Sequence, residues 1–229
     1  MKPLKLSRSK LDEFLLCPRC FWLDIHGKGP PAGIPMGIYI VIDSLQKKYY
    51  DKYRSKGLPP MLKNKLPFKL ADEKLVNNFR KNIEFRDDDL NAILFGKMDD
   101  CFVDDEGKLV VIDNKTSSGE PSEEFEESYK FQLETYAFLL KKNGFKVNEN
   151  GYLIYYIIDR ESDFENGIKF KVKPKKFKLN TEHIHEIFRE AVLTARSPNP
   201  PKAHEECEMC LWLHSMDDIE NINGSKYKL

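Results

Sequence analysis

The sequence has no long apolar run. None of its 229 residues sits in a stretch near the roughly 18 consecutive apolar residues of a membrane span. The opening Met1-Lys2-Pro3-Leu4-Lys5-Leu6-Ser7 lacks the apolar centre of a secretory signal. A soluble cytoplasmic chain with no membrane partner is therefore expected. An excess of charge is also missing: 37 basic and 37 acidic side chains cancel to a formal net charge of zero. A polyanion-binding surface must then come from local segregation of charge. Repeats, low-complexity tracts and long linkers are absent, and so is a G-x-x-x-x-G-K-[ST] loop, the mark of one type of nucleotide-driven motor. What is there is a 41% hydrophobic and 12% aromatic composition, enough to build a core. At this length one domain spanning 1–229 is expected.

The pattern along the chain alternates helix and strand signals. Ser7 to Leu15 reads as a capped helix with Leu11, Phe14 and Leu15 on one face, ending at Cys17-Pro18 because the residue before proline avoids the helical region. Gly27 to Gly33 reads as a loop. Helices are expected over about Gly37–Arg54, Asp72–Arg80, Glu123–Lys142 (stopped by Asn143-Gly144) and Thr181–Thr194. Strands are expected at Ala92–Val103 and Lys108–Asp113, joined by a turn at Asp104-Asp105-Glu106-Gly107, and at Tyr152–Ile158 and Ile168–Leu179. The Leu-Val-Val-Ile run at 109–112 suggests burial on both faces. This order specifies an α/β protein with a central mixed sheet flanked by helices.

The chemistry begins at Asp113-Asn114-Lys115. Residues two apart on a strand share a face, so Asp113 and Lys115 project together. The triplet alone is weak, since Asp72-Glu73-Lys74 and Glu106-Gly107-Lys108 fit the same pattern. Its setting adds weight. Folding the hairpin about Asp105-Glu106 places Asp99 opposite Asp113 to within a residue. Two carboxylates so close repel unless a cation lies between them, and magnesium suits a site of few carboxylates that keeps waters for a phosphate. Gln132 and Tyr136, four apart, share a helix face.

Together these form G-x-x-D at Gly96–Asp99, D-x-K at Asp113–Lys115 and Q-x-x-x-Y at Gln132–Tyr136. With the Ser7-Arg8-Ser9-Lys10-Leu11 opening, Cys17-Pro18-Arg19 and the late cysteines, the set resembles the RecB-like branch of the PD-(D/E)xK nucleases. The resemblance implies a restriction-endonuclease-like core and magnesium- or manganese-dependent cleavage of DNA phosphodiesters, with exo- or endonuclease action left open. It makes Asp99 and Asp113 metal ligands, has Lys115 orient or activate the attacking water, and has Gln132 and Tyr136 support the site. Asn114 joins the candidate ligands. Such nucleases often carry a histidine on the helix before the sheet; none of the five histidines lies there, and Asp43 occupies about that place as an oxygen donor. DNA is the implied partner; with no nucleotide-driven motor of its own by the loop criterion, the chain either acts alone or is recruited to a separate helicase or a repair or defence complex.

Cys17-Pro18-Arg19-Cys20 and Cys207-Glu208-Met209-Cys210 each suit two bonds to one metal, and together they complete a four-sulfur site joining the two ends of the chain. Zinc and a 4Fe–4S cluster both accept four thiolates. The resemblance favours the iron–sulfur cluster, although similar nucleases divide their cysteines one early and three late rather than two and two. Cys101, alone in a strand, reads as a buried apolar residue.

Lys169, Lys171 and Lys173 alternate with Ile168, Phe170 and Val172. This stripe can track a DNA backbone or guard a sheet edge against aggregation. Two competing functions fit the same residues: a DNA-binding or assembly module that has lost catalysis, and a cysteine-metal structural or redox protein whose D-x-K is incidental.

Overall fold

A computed structural model describes residues 2–30, 37–120, 122, 125–163 and 165–222, with backbone alone from 216 onward. Pro31–Gly33 of the expected loop and Glu123, the expected start of one helix, lie outside the described residues. In chain order the elements are β1 (Leu4–Ser7), α1 (Arg8–Leu16), α2 (Pro18–Ile25), α3 (Gly37–Asp51), β2 (Lys69–Leu70), α4 (Glu73–Lys81), β3 (Ile83–Asp87), β4 (Ala92–Gly96), β5 (Cys101–Val103), β6 (Leu109–Ser117), α5 (Glu126–Lys142), β7 (Asn150–Ile158), β8 (Phe170–Lys178), α6 (Ile184–Arg196) and α7 (Glu208–Ile222). No helix among the described residues is long and apolar enough to cross a membrane.

The fold is the expected mixed α/β type. A five-stranded sheet runs β2-β5-β6-β7-β8, with β6 and β7 parallel and the other neighbours antiparallel. A separate three-stranded sheet runs β1-β4-β3. The chain divides into two compact units. One holds residues 1–8 and 33–185, and so both sheets; the other is made from the two ends, 9–32 and 186–229.

In the larger unit, β6 is covered on both faces, as its apolar run requires. Val110 and Ile112 pack with Tyr50, Leu62, Phe102, Ile154 and Tyr156 on the side of α3. On the other side lies α5, whose residues from Phe131 to Leu140 are all buried; a helix buried all round needs no polar face. The β5–β6 turn forms as its residues dictate. Asp104 Oδ1 accepts from the amides of Glu106 (3.0 Å) and Lys108 (2.8 Å), and Gly107 supplies the positive φ of 76°. Helix α4 starts where Asp72 accepts from the amides of Lys74 and Leu75.

Among the departures from the sequence expectations, three trace to particular residues. The single strand expected over Ala92–Val103 is two strands in different sheets, interrupted at 97–100. The interruption has a tertiary cause: Asp100 is buried and held by the guanidinium groups of Arg54 and Arg80, which turns the chain out of regular pairing. Pro18 does more than end α1, because it also begins α2 at a position where a missing N–H costs nothing. And β6 continues through Ser117, so the D-x-K triplet lies within the strand rather than at its end.

Candidate active site

Alternation along β6 sorts its polar residues between two helices. Asp113 and Lys115 face α5, where Gln132 joins them. The amide nitrogen of Gln132 donates to Asp113 Oδ1 at 2.8 Å, and its carbonyl oxygen accepts from Lys115 Nζ at 2.9 Å. The same nitrogen lies 3.3 Å from the Tyr136 hydroxyl. Lys115 Nζ also sits 2.8 Å from Asp113 Oδ2 and 4.1 Å from the centre of the Tyr129 ring, an arrangement in which the ring face attracts the cation. Asp113 Oδ2 is buried and, apart from that ion pair, has no hydrogen-bond partner. Tyr136 is buried, and burial together with the Asp113 charge pushes its hydroxyl up to about 12, so it stays protonated at neutral pH.

Asp99 reaches the same region from the segment after β4. The β5–β6 ladder begins at Cys101, paired with Val111, and Asp99, just before it, lies near enough to Asp113 for the two charges to act on each other. Glycine at 96 gives Tyr136 room: an added Cβ would meet its ring at 3.0 Å and Leu139 at 3.2 Å, so both would have to give by a few tenths of an ångström. Asp99 Oδ1 lies 2.7 Å from Lys47 Nζ, and the same ammonium lies 2.7 Å from Asp43 Oδ2, one turn away on α3. Burial raises the Asp99 pKa above its ordinary value, Lys47 opposes the rise, and the charges of Asp43 and Asp113 add to it.

The expected residues are thus gathered in one region, but as two ion-paired groups rather than one cage. Lys47 serves Asp43 and Asp99, while Lys115 serves Asp113. Among the described residues, only the cysteines bring three or more acid, histidine or cysteine donors within 4.8 Å of one another. Asn114 is turned elsewhere. Its side-chain oxygen accepts from the Tyr50 hydroxyl at 2.8 Å, on the α3 face, away from Asp113.

Three residues at the site were not picked out from the sequence. Lys47 sits four after Asp43, a spacing that could have signalled it. Tyr129 sits three before Gln132 on α5. Tyr155 lies beside Lys115 in the β6–β7 register, and its buried hydroxyl has no hydrogen-bond partner. The two buried side-chain polar atoms without a hydrogen bond among the described residues are Asp113 Oδ2 and Tyr155 OH; they stand diagonally on paired strands, since Asp113 pairs with Leu153 and Tyr155 with Lys115. A buried carboxylate oxygen partnered only by the Lys115 ammonium, beside a second acid whose pKa is raised by burial and by its acidic neighbours, fits a site for a divalent cation.

The lysine stripe lies on and just before β8, an edge strand that accommodates Pro174 within its pairing. Lys171 pairs with Asp159 at 3.0 Å and Lys173 with Glu120, while Lys169 is exposed.

The smaller unit holds the cysteine site. Cys17, Cys20, Cys207 and Cys210 bring their sulfurs within 4.8 Å of one another, which joins the two ends of the chain as expected. Burial opposes the Cys17 thiolate, but the amides of Cys20 and His204 and the neighbouring thiols outweigh it and bring that thiol down to about 6. Cys101 lies apart, fully buried, its thiol pushed well up by burial.

Residues 41–215 match the PD-(D/E)XK nuclease superfamily. That span is most of the chain, and the protein belongs to this superfamily. No curated protein matches it. The crystal structure of SSO0001 aligns over 92% of this chain and 84% of that one, at 16% identity and a TM-score of 0.43.

Proposed function

We propose that this chain is a divalent-metal-dependent nuclease that hydrolyses DNA phosphodiesters, of the RecB-like branch, with its active site at Asp99, Asp113, Lys115, Gln132 and Tyr136. The observation that carries the reading is the triad on β6 and α5: one amide, Gln132, holds both the acid and the ammonium of the D-x-K, with Asp113 Oδ2 partnered by Lys115 alone. Membership of the superfamily supports it.

In this reading Asp99 and Asp113 hold magnesium or manganese, with Asp43 as a further oxygen donor and Asn114 contributing through its backbone, since its side chain is committed to Tyr50. When bound, the metal supplies a water of lowered pKa and positive charge against the phosphate oxygens. Lys115, fixed by Gln132, Asp113 and Tyr129, orients the attacking water and adds charge where negative charge grows. Gln132 orients the ion-paired acid and ammonium through both atoms of its amide, and Tyr136 holds Gln132 as a neutral hydroxyl. Lys47 neutralises Asp43 and Asp99 and competes with a metal for them. Lys169, Lys171 and Lys173 form the DNA track; because Lys171 and Lys173 have acidic partners to give up, they add less affinity than free lysines would.

The test is cleavage of linear and closed circular DNA with magnesium or manganese, comparing the protein with Lys115→Ala and Lys115→Arg. Metal-dependent cutting lost in the alanine variant supports the proposal, and cutting of the circle assigns endonuclease action. Absence of metal-dependent cutting on any DNA, with binding retained, would instead favour an inactive DNA-binding module.

A further inference from the structure

The two cysteine pairs are built alike. Cys17 is the residue before α2 and adopts extended backbone, while Cys20 lies in that helix's first turn. Cys207 immediately precedes α7 and Cys210 lies in its first turn. In each pair the first cysteine's carbonyl accepts the amide four residues on, Phe21 to Cys17 at 3.0 Å and Leu211 to Cys207 at 2.9 Å. Both pairs therefore present sulfur at a helix N-terminus, where the positive end of the dipole favours thiolate. The His204 amide adds a donor to Cys17 Sγ at 3.5 Å.

Sulfur spacing separates the two groups that four thiolates can hold. A single tetrahedral ion with metal–sulfur bonds of about 2.3 Å sets its sulfurs about 3.8 Å apart. A 4Fe–4S cluster places irons and sulfides between the thiolates and holds them about 6 Å apart. Here Cys17 and Cys210 are 3.8 Å apart, Cys20 and Cys207 3.6 Å, and Cys20 and Cys210 3.5 Å, with every pair inside 4.8 Å. The cluster would have to push all of them outward at once, against two helix starts whose first-turn hydrogen bonds are already made. The single ion needs far smaller shifts, since the widest separation is within 4.8 Å.

We infer that Cys17, Cys20, Cys207 and Cys210 hold one tetrahedral zinc ion, and that the four-iron cluster implied by the resemblance does not fit this chain. Closed four-sulfur coordination leaves no open position and no redox couple, so the site is a staple between the chain's two ends and not an electron carrier. This inference stands apart from the nuclease reading, since none of its residues belongs to the carboxylate site.

Metal and acid-labile sulfide analysis of full-length protein purified without oxygen tests it. About one zinc per chain, no labile sulfide and no visible absorption are expected. About four irons with matching sulfide and a broad band near 400 nm would overturn it, and so would iron in place of zinc without sulfide. Replacing zinc by cobalt in the intact protein adds a readout independent of any variant: intense visible bands of tetrahedral tetrathiolate cobalt support the site, and their absence contradicts it. Cys210→Ser is expected to lose zinc stoichiometry; full retention of zinc would exclude Cys210 as a ligand.

Discussion

The carboxylate site and the cysteine site differ in how far each is closed. Four sulfurs lie mutually in reach of one ion, whereas Asp43, Asp99 and Asp113 are held in two groups by two different ammonium ions. A structural metal site is closed and saturated by protein, while a catalytic one keeps positions for water and substrate. Soft thiolates at paired helix starts suit the first task. Hard oxygens on a sheet, with lysines standing in for positive charge, suit the second. One chain thus separates holding its shape from doing chemistry, and each half of that contrast can be attacked.

The largest expected effect is on chemistry. Asp113→Ala should slow DNA cleavage by about a thousandfold and cost about 1–3 kcal/mol of stability, because Lys115 and Gln132 lose a partner; a variant that cuts normally would remove Asp113 from the site. Next comes a pair of neighbours. Asp100→Ala should cost about 1–3 kcal/mol in denaturant unfolding, because Arg54 and Arg80 would lose their buried partner and keep only Asp51. Asp99→Ala should change stability by under about 1 kcal/mol and abolish cleavage. Equal stability losses would erase the distinction between a structural and a functional acid.

Chelators should separate the two sites by consequence. Stripping the cysteine site with a strong zinc chelator should lower Tm by about 10 °C, whereas withholding magnesium should stop cleavage and leave Tm nearly unmoved. The smallest effect concerns Lys47. Lys47→Ala removes a competing cation, so manganese should bind about 2–10-fold more tightly, measured by calorimetry without DNA; weaker binding would mean that Lys47 orders the acids instead of competing for them.

Much of this was legible in the sequence where local rules suffice. Period-two alternation placed Asp113 with Lys115, helical spacing placed Gln132 with Tyr136, and the turn at Asp104–Gly107 brought Asp99 into the neighbourhood of Asp113. The two C-x-x-C pairs announced their own convergence. What stayed hidden depends on distant partners. Nothing local shows that Arg54 and Arg80 capture Asp100 and break the strand at 97–100, or that Lys47 answers Asp99 as well as Asp43. The segment Ile83-Glu84-Phe85-Arg86-Asp87 is short and charged, and becomes β3 because β4 supplies five paired residues beside it. Asn114 shows the same limit: adjacency to Asp113 suggested a shared task, but strand alternation gave its side chain to Tyr50.

The most direct test of the central claim is manganese binding to DNA-free protein at neutral pH, measured by paramagnetic resonance or calorimetry, with Asp99→Asn and Asp113→Asn as comparisons. Specific binding to the unaltered protein, lost or weakened at least about tenfold in each variant, is the predicted result. Binding unchanged by either substitution would contradict a metal site at these two acids.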